Sequence, residues 1–124
     1  MARNGDYSIF EYLYRDAGNY KTHGRVLLAG RATPADEATV RASLDDACFV
    51  AEQVGIAPLQ PQHLRDCGSE TGELDHGFHE FAALRAAEAG DAGEEAARMT
   101  VVELVQRFRE IAGRWDPGRS PFGR

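Results

Sequence analysis

The residues of this chain that are able to bind a metal ion or to transfer a proton are concentrated between positions 63 and 80. The segment D-H-G-F-H-E contains Asp75, His76, His79 and Glu80, and His63 precedes it. Imidazole and carboxylate groups are ligands that zinc and iron take in proteins. These five residues therefore make up a candidate metal site.

The spacing of these residues supports a metal site less well than their types do. Gly77 separates the two histidines of the segment, and the sequence lacks the H-E-x-x-H motif. Residues three apart in a strand also point to opposite faces. The simpler interpretation is that Glu80 pairs with a residue of a neighbouring strand and that the histidines are solvated. The metal site is kept as an alternative hypothesis, and the preferred one requires no cofactor.

Cysteine chemistry is the second possibility in this part of the chain. Cys67 follows Asp66, and a thiol nucleophile with His63, His76 or His79 as its base would suit a small hydrolase. No local signature supports this pairing. The sequence also contains no G-x-S-x-G, phosphate-binding loop, dinucleotide-binding or kinase motif. No catalytic residue is assigned, and the balance favours a protein that is not an enzyme.

The cysteine count also indicates a compartment. Cys48 and Cys67 are too few for a disulfide framework and match no zinc spacing, so reduced thiols in a cytoplasmic protein are expected. No apolar run has the length of a signal peptide core or reaches the roughly 18 residues of a membrane span. The abundance of Ala, Gly, Arg, Asp and Glu is typical of a GC-rich bacterium.

The charge of the chain disfavours nucleic acid as a partner. Its 124 residues include 20 acidic and 14 basic side chains, which gives a net charge of −6. An acidic protein is repelled by phosphate backbones. We therefore expect a protein partner or a second copy of the chain, and neither nucleic acid nor a membrane.

The elements that would position these groups begin with a β-hairpin. Residues 7–15 alternate in a period of two and are rich in aromatic side chains, as are strands. Asp16, Ala17, Gly18 and Asn19 form a turn, and residues 20–29 form the second strand. Three successive apolar residues at 26–28 predict that this second strand is the inner one.

A helix is expected after the hairpin. Thr33, Pro34 and Asp36 provide a capping hydroxyl, a proline at the first helical position and an acid three residues after the cap. An apolar stripe then predicts a helix as far as Gly55, and it consists of Val40, Leu44, Ala47, Cys48, Ala51 and Val54. On this stripe Cys48 would act as a small apolar residue rather than as a nucleophile.

The second half of the chain is predicted to contain a long loop, a strand and a helix. Residues 57–77 lack periodicity and read as the loop, while residues 78–89 read as a third strand, although their alanines also suit a helix. Thr100 and Glu103 form a T-x-x-E capping box. A strongly amphipathic helix follows, with one face made of Val101, Leu104, Val105, Phe108, Ile111, Ala112 and Trp115.

The summed pattern predicts one α+β domain over residues 1–124. A small antiparallel sheet, formed by the N-terminal hairpin and the third strand, packs against two amphipathic helices in the order β-β-α-β-α. Residues 1–6 and 117–124 are expected to be flexible tails. A homodimer is possible through a free edge strand or through the apolar face of the last helix.

A contact surface is expected at the tip and outer face of the hairpin. Two helices cannot cover every aromatic side chain of this hairpin, and aromatic residues left outside often mark an interface. We therefore expect a non-enzymatic interaction module, such as an immunity protein, an antitoxin or an accessory subunit. Its candidate partner-binding residues are Tyr12, Tyr14, Arg15, Asp16, Asn19 and Lys21.

Overall fold

The computed structural model describes residues 7–15, 21–67, 78–88, 97 and 99–116, with the backbone alone for 64–67. Its strands are β1 (Tyr7–Arg15), β2 (Lys21–Ala29), β3 (Cys48–Phe49), β4 (His79–Ala86) and β5 (Met99–Thr100). Its α-helices are α1 (Pro34–Ser43), α2 (Gln60–Cys67) and α3 (Val101–Ile111), and a 3₁₀ helix spans Ala51–Val54. The fold is α+β, as the sequence predicts.

The five strands form one mixed sheet in the order β3-β4-β1-β2-β5. β1 pairs antiparallel with β2, from Tyr7 opposite Ala29 to Arg15 opposite Lys21. β5 runs parallel to β2, and its two described residues, Met99 and Thr100, pair with Leu28 and Ala29. The predicted three-stranded antiparallel sheet is therefore corrected to a larger mixed one, and its central strand is β1 rather than β2.

The third predicted strand is present as β4, which pairs antiparallel with β1. The register between them shifts between Glu11 and Tyr12, where Ala82 has no partner in β1. On its other side β4 pairs with β3, Cys48 opposite Glu80 and Phe49 opposite His79. The order β-β-α-β-α is incomplete because β3, α2 and β5 were not predicted.

The start of α1 follows its sequence signal. The Thr33 hydroxyl accepts a hydrogen bond from the Asp36 amide at 3.1 Å, and the Asp36 carboxylate accepts one from the Thr33 amide at 2.9 Å. These bonds satisfy two backbone donors that a helix start leaves without intrahelical partners. Pro34 occupies the first turn, where its missing N–H has no cost.

The end of α1 differs from the prediction. The helix stops at Ser43, and the backbone reverses in a tight turn at Asp46 and Ala47, with φ of 53° and 66°. Asp45 and Cys48 exchange two backbone hydrogen bonds of 2.9 Å across this turn. The turn brings β3 alongside β4. The apolar period of the sequence reports on neighbouring residues, so it does not reveal pairing with a strand that lies far away in the chain. The helix predicted through Val54 is therefore wrong.

Part of the predicted loop is helical, because α2 occupies residues 60–67. Residues 68–77 of that loop lie outside the described part of the chain, as do the hairpin turn at 16–20 and the predicted tails at 1–6 and 117–124. The structure therefore corrects the loop over its first half.

The core lies between one face of the sheet and the helices α1 and α3. The rings of Phe10, Phe49 and Phe108 contact one another at centroid distances of 5.4 to 5.7 Å. Trp115 stacks edge-on against Phe108 and donates its indole N–H to the Ser43 carbonyl at 2.8 Å. Strand, loop and helix are thereby joined in one aromatic cluster.

The last helix is buried largely as its sequence predicts. Thr100 caps it by accepting a hydrogen bond from the Glu103 amide at 3.0 Å. Four of its apolar side chains are buried: Val101, Leu104, Val105 and Phe108. At about 1.5–3 kcal/mol for each buried side chain, this face contributes on the order of 10 kcal/mol before entropy is subtracted. Because the core covers it, this face is not free for a dimer.

Candidate functional site

The two faces of the hairpin differ in what covers them. Phe10, Tyr12 and Tyr14 of β1 face the helices and belong to the main core, together with residues of α1 and α3 such as Val40 and Phe108. We call this side of the sheet the core face. Because side chains alternate along a strand, Glu11, Leu13 and Arg15 lie on the opposite side, the outer face.

The structure corrects the predicted exposure of the hairpin tyrosines. Tyr12 is 2% exposed and Tyr14 is 0% exposed, so both belong to the core rather than to an outer contact surface. Burial raises the pKa of Tyr12 to about 12. Its hydroxyl donates a hydrogen bond to the Ala57 carbonyl. Asp16 and Asn19 of the predicted surface lie outside the described residues, whereas Arg15 and Lys21 are on the outer face.

Two of the histidines meet on the core face, around Tyr14. The Tyr14 ring contacts His63 of α2 at a centroid distance of 5.0 Å and His79 of β4 at 5.5 Å. His63 Nδ1 lies 2.7 Å from the Thr22 hydroxyl. Both histidines are buried, and so are Thr22 and Gln60. This group forms a buried polar layer between α2 and strands β2, β1 and β4.

The buried histidines connect the α2 segment to the sheet. His79 Nε2 accepts a hydrogen bond from the Leu59 amide at 2.9 Å, so a neutral His79 carries its proton on Nδ1. His63 makes the corresponding contact with Thr22 on β2. Gly24, also on β2, permits this approach, because a Cβ there would lie 2.6 Å from Leu59 Cδ2. The expectation that these histidines are solvated is therefore wrong.

The predicted metal ligands do not converge within the part of the chain that the structure describes. His79 points into the core, while its neighbour Glu80 lies on the outer face and pairs with Arg15 at 2.7 Å. Asp75 and His76 are outside the described residues. Among those described, no group of three or more His, Cys, Asp or Glu side chains is placed to hold a metal ion.

The outer face is a charged surface with an excess of positive charge. Arg15 contacts Glu80 through two hydrogen bonds of 2.7 and 3.2 Å, and Arg85 contacts Glu11 at 2.8 Å. Further along this face, β2 presents Lys21, His23 and Arg25, all exposed. We call these three residues the basic stripe. At the strand positions of β1, β2 and β4 the outer face holds four cationic groups, counting Arg15 and Arg85, against the two carboxylates of Glu11 and Glu80. The carboxylates of Asp45 and Asp46 lie beyond them, at the edge next to Cys48.

Among the residues that the structure describes, an apolar cluster covers one end of the outer face. Ile9, Leu27 and Ala87 are buried there in a small second cluster, with Tyr7 and Ala97 packed against it. Ala97 connects this cluster to the segment that enters β5. The other end of the face, from Leu13 to the basic stripe, carries the charged side chains.

Cys48 lies at the edge of this outer face, next to an open cleft of about 400 Å³. The cleft is lined by Cys48, Asp45, Asp46 and Phe78. Burial raises the pKa of the Cys48 thiol, and the nearby carboxylates of Glu80, Asp46 and Asp45 raise it further. A raised pKa lowers the fraction of this thiol that is present as the reactive thiolate at neutral pH. The side chains of Asp66 and Cys67 lie outside the described part of the structure. The predicted pairing of the Cys67 thiol with a histidine therefore stays a prediction.

The sequence prediction includes Lys21 of the basic stripe but misses His23 and Arg25, although the chain contains a signal for all three. Lys21, His23 and Arg25 recur at every second position of a strand, so they share one face. The charges of β1, at Glu11 and Arg15, follow the same alternation. Combining the two patterns with the hairpin register assigns the charged side chains to one face, and Tyr12 and Tyr14 to the other.

Comparisons with known proteins gave no relative from which to infer a function. Searches of protein-family models, of curated proteins and of solved structures each returned no match. Within the described ranges, no helix is both long enough and apolar enough to cross a membrane.

Proposed function

We propose that this chain is a non-enzymatic protein-interaction module whose contact surface is the outer face of the hairpin. The observation that carries the proposal is the separation of charge between the two faces. The core face is buried under the helices, whereas the outer face presents the basic stripe beside the Arg15–Glu80 pair.

The charge of this surface favours an acidic protein as the partner. Lys21, His23 and Arg25 are exposed in a row on β2, and Arg15 stands opposite Lys21 in the register of the hairpin. Complementary charges guide encounter and exclude wrong partners. The overall charge of −6 works against a nucleic-acid partner, whose phosphates are repelled by the rest of the chain.

The alternative, a hydrolase that depends on a metal or a cysteine, has less support. His63 and His79 are engaged in fastening α2 to the sheet, and Glu80 faces the other way. The raised pKa of Cys48 disfavours a thiolate there, while the side chain of Cys67, the nucleophile of this alternative, lies outside the described residues. We therefore place the partner-binding residues at Arg15, Lys21, His23 and Arg25 and assign no catalytic role.

Affinity capture from a lysate of the source organism, with three forms of the chain, tests the proposal. The wild type is compared with Lys21→Glu/Arg25→Glu and with Arg31→Glu/Arg109→Glu, which makes the same charge change at two exposed arginines outside the surface. We expect a partner that is retained by the wild type and by the control and lost from the first variant. Recovery of no partner, or of the same proteins by all three forms, would contradict the proposal.

A further inference from the structure

We infer that Leu13 is the apolar anchor of the outer face, and that an acidic partner protein places an apolar side chain, flanked by carboxylates, against it. This inference rests on the proposed function and names the chemistry that the partner presents. It goes beyond an electrostatic contact because it assigns part of the affinity to one apolar side chain that polar residues surround.

The first observation is the position of Leu13 among charged and titratable side chains. β1 is the central strand of the sheet, and Leu13 stands opposite His23 on β2 and opposite Glu80 on β4. Along β1 itself, Glu11 and Arg15 precede and follow it on the same face. A charged or titratable group therefore lies on each of the four sides of Leu13.

The second observation is that part of the Leu13 side chain remains in contact with solvent. The residue is half-buried, whereas the core positions next to it on β1 are buried. Among the described residues, Leu13 belongs neither to the main core nor to the second cluster, which covers the opposite end of the outer face. Contact with an apolar group of a partner would remove this remaining surface from water, which is favourable.

Val102 on α3 shows that exposure alone does not make an anchor. It is 77% exposed, and single apolar side chains on a protein surface are ordinary. Leu13 differs from it through the polar groups on its four sides, two of which, Arg15 and Glu80, form an ion pair with each other. An apolar centre with a polar rim that excludes water is the arrangement of the residues that dominate binding in protein interfaces.

The charges around Leu13 determine what flanks the apolar group of the partner. The carboxylates of Glu11 and Glu80 are paired with arginines, while Lys21 and His23 are exposed on the neighbouring strand. Carboxylates of a partner complement the resulting excess of positive charge. A second copy of the chain that presented the same face would bring like charges together, so the charges favour an acidic partner over self-association.

Two labelled peptides test the inference directly. One is a fluorescein-labelled peptide of glutamate and glycine with a single central phenylalanine, and the other has serine in place of phenylalanine, so that their charges are equal. Binding is followed by fluorescence anisotropy. We expect the wild-type chain to bind the phenylalanine peptide about tenfold more tightly. This preference should persist when the salt concentration is raised, because salt screens charges and not apolar contacts.

A pair of variants connects this preference to Leu13. Leu13→Thr introduces a residue that suits a strand and removes much of the apolar contact. It should weaken binding of the phenylalanine peptide about tenfold and change binding of the serine peptide less than about twofold. Val102→Thr, a similar change at the exposed position on α3, should alter neither. Circular dichroism and melting temperature verify that both variants are folded.

Methyl NMR of the wild type provides a measurement that needs no variant. The phenylalanine ring should shift the Leu13 methyl signals when its peptide binds, and the serine peptide should leave them in place. Equal binding of the two peptides, an unchanged preference in folded Leu13→Thr, unshifted Leu13 methyl signals, or no binding of the phenylalanine peptide would overturn the inference.

The failure of this inference is distinguishable from failure of the proposed function. If Lys21→Glu/Arg25→Glu loses its captured partner while the wild type binds the two peptides equally, the anchor is wrong and the interaction surface stands. If all forms capture the same proteins and neither peptide binds, both are wrong.

Discussion

The two faces of the β1–β2 hairpin differ in burial and in charge. Tyr12 and Tyr14 on the core face are buried, and they connect the sheet to α2 and to the aromatic core. Arg15, the residue after Tyr14, lies on the outer face, as does Arg25 of β2, and both stand among charged neighbours. In this hairpin the aromatic side chains of Tyr12 and Tyr14 therefore mark the face that packs into the core. Alternating charges mark the face that we propose for partner binding.

The largest difference between the faces should appear in stability. Tyr14→Ala removes a fully buried ring that contacts His63 and His79, and should cost about 3–5 kcal/mol of the free energy of unfolding. Arg15→Ala, the neighbouring change on the outer face, breaks a partly exposed ion pair and should lower the free energy of unfolding far less than Tyr14→Ala does. Urea denaturation of both variants measures this. Equal losses would show that the faces are not distinct.

Alkaline pH should destabilise the core face through Tyr12. Its pKa is raised from 10.0 to about 12 in the folded chain by burial. The folded state therefore holds the phenol proton more tightly than the unfolded state does. The stabilisation is complete below pH 10 and is lost as the pH rises from 10 through about 12, by on the order of 2 kcal/mol.

The control for this pH effect is Tyr12→Phe, which keeps the ring and removes the ionisable group. It loses the hydrogen bond to the Ala57 carbonyl and should be less stable at pH 7 by about 1 kcal/mol. Its stability should then fall less steeply than that of the wild type between pH 10 and 12. Thermal denaturation across this pH range tests the difference, and parallel curves would refute the assignment.

Adjacent residues of β2 offer a third contrast. A methyl group at Gly24 would meet Leu59 at 2.6 Å and the Tyr12 ring at 3.1 Å, so Gly24→Ala should overpack the contact with α2 and cost about 1–3 kcal/mol. Arg25→Ala, on the exposed side, should change stability by no more than about 0.5 kcal/mol. Melting temperatures of the two variants provide the comparison. A neutral Gly24→Ala would mean that the Leu59 side chain moves aside easily.

The smallest expected effect concerns the reactivity of Cys48. Because burial and the neighbouring carboxylates raise its pKa, this thiol should react with iodoacetamide at pH 8 more slowly in the folded chain than in urea. Peptide mapping by mass spectrometry follows Cys48 separately from Cys67. Faster alkylation of Cys48 in the folded chain would contradict its assignment as a thiol of raised pKa.

Local signals in the sequence predicted the elements whose causes are local. The capping residues Thr33 and Thr100 correctly mark the starts of α1 and α3, and the alternating pattern correctly marks β1 and β4. The apolar stripe from Val40 to Val54 predicted one continuous helix, but the helix ends at Ser43. Beyond it, a turn, a strand and a 3₁₀ helix bury the apolar residues instead. Phe49, Ala51 and Val54 are fully buried without being on one α-helix.

The candidate site was less predictable, because it depends on which face the helices cover. Both faces of β1 contain apolar side chains, so β1 alone leaves the choice open. The pairing of β3 with β4 and the docking of α2 through His63 and His79 are contacts between distant segments. These contacts show which face is covered: Tyr12 and Tyr14 are buried, and Glu80 faces Arg15 on the other side.

The most direct test of the interaction surface uses the single lysine of the chain. Lys21 is the only lysine in the sequence and belongs to the basic stripe. A carbodiimide joins a lysine amine to a carboxylate that it contacts, so treatment of the chain with its captured partner should link Lys21 to an Asp or Glu of that partner. Lys21→Arg keeps the charge and should keep the binding while losing this cross-link. Mass spectrometry that finds the partner linked only at other positions, with none at Lys21, would contradict the account.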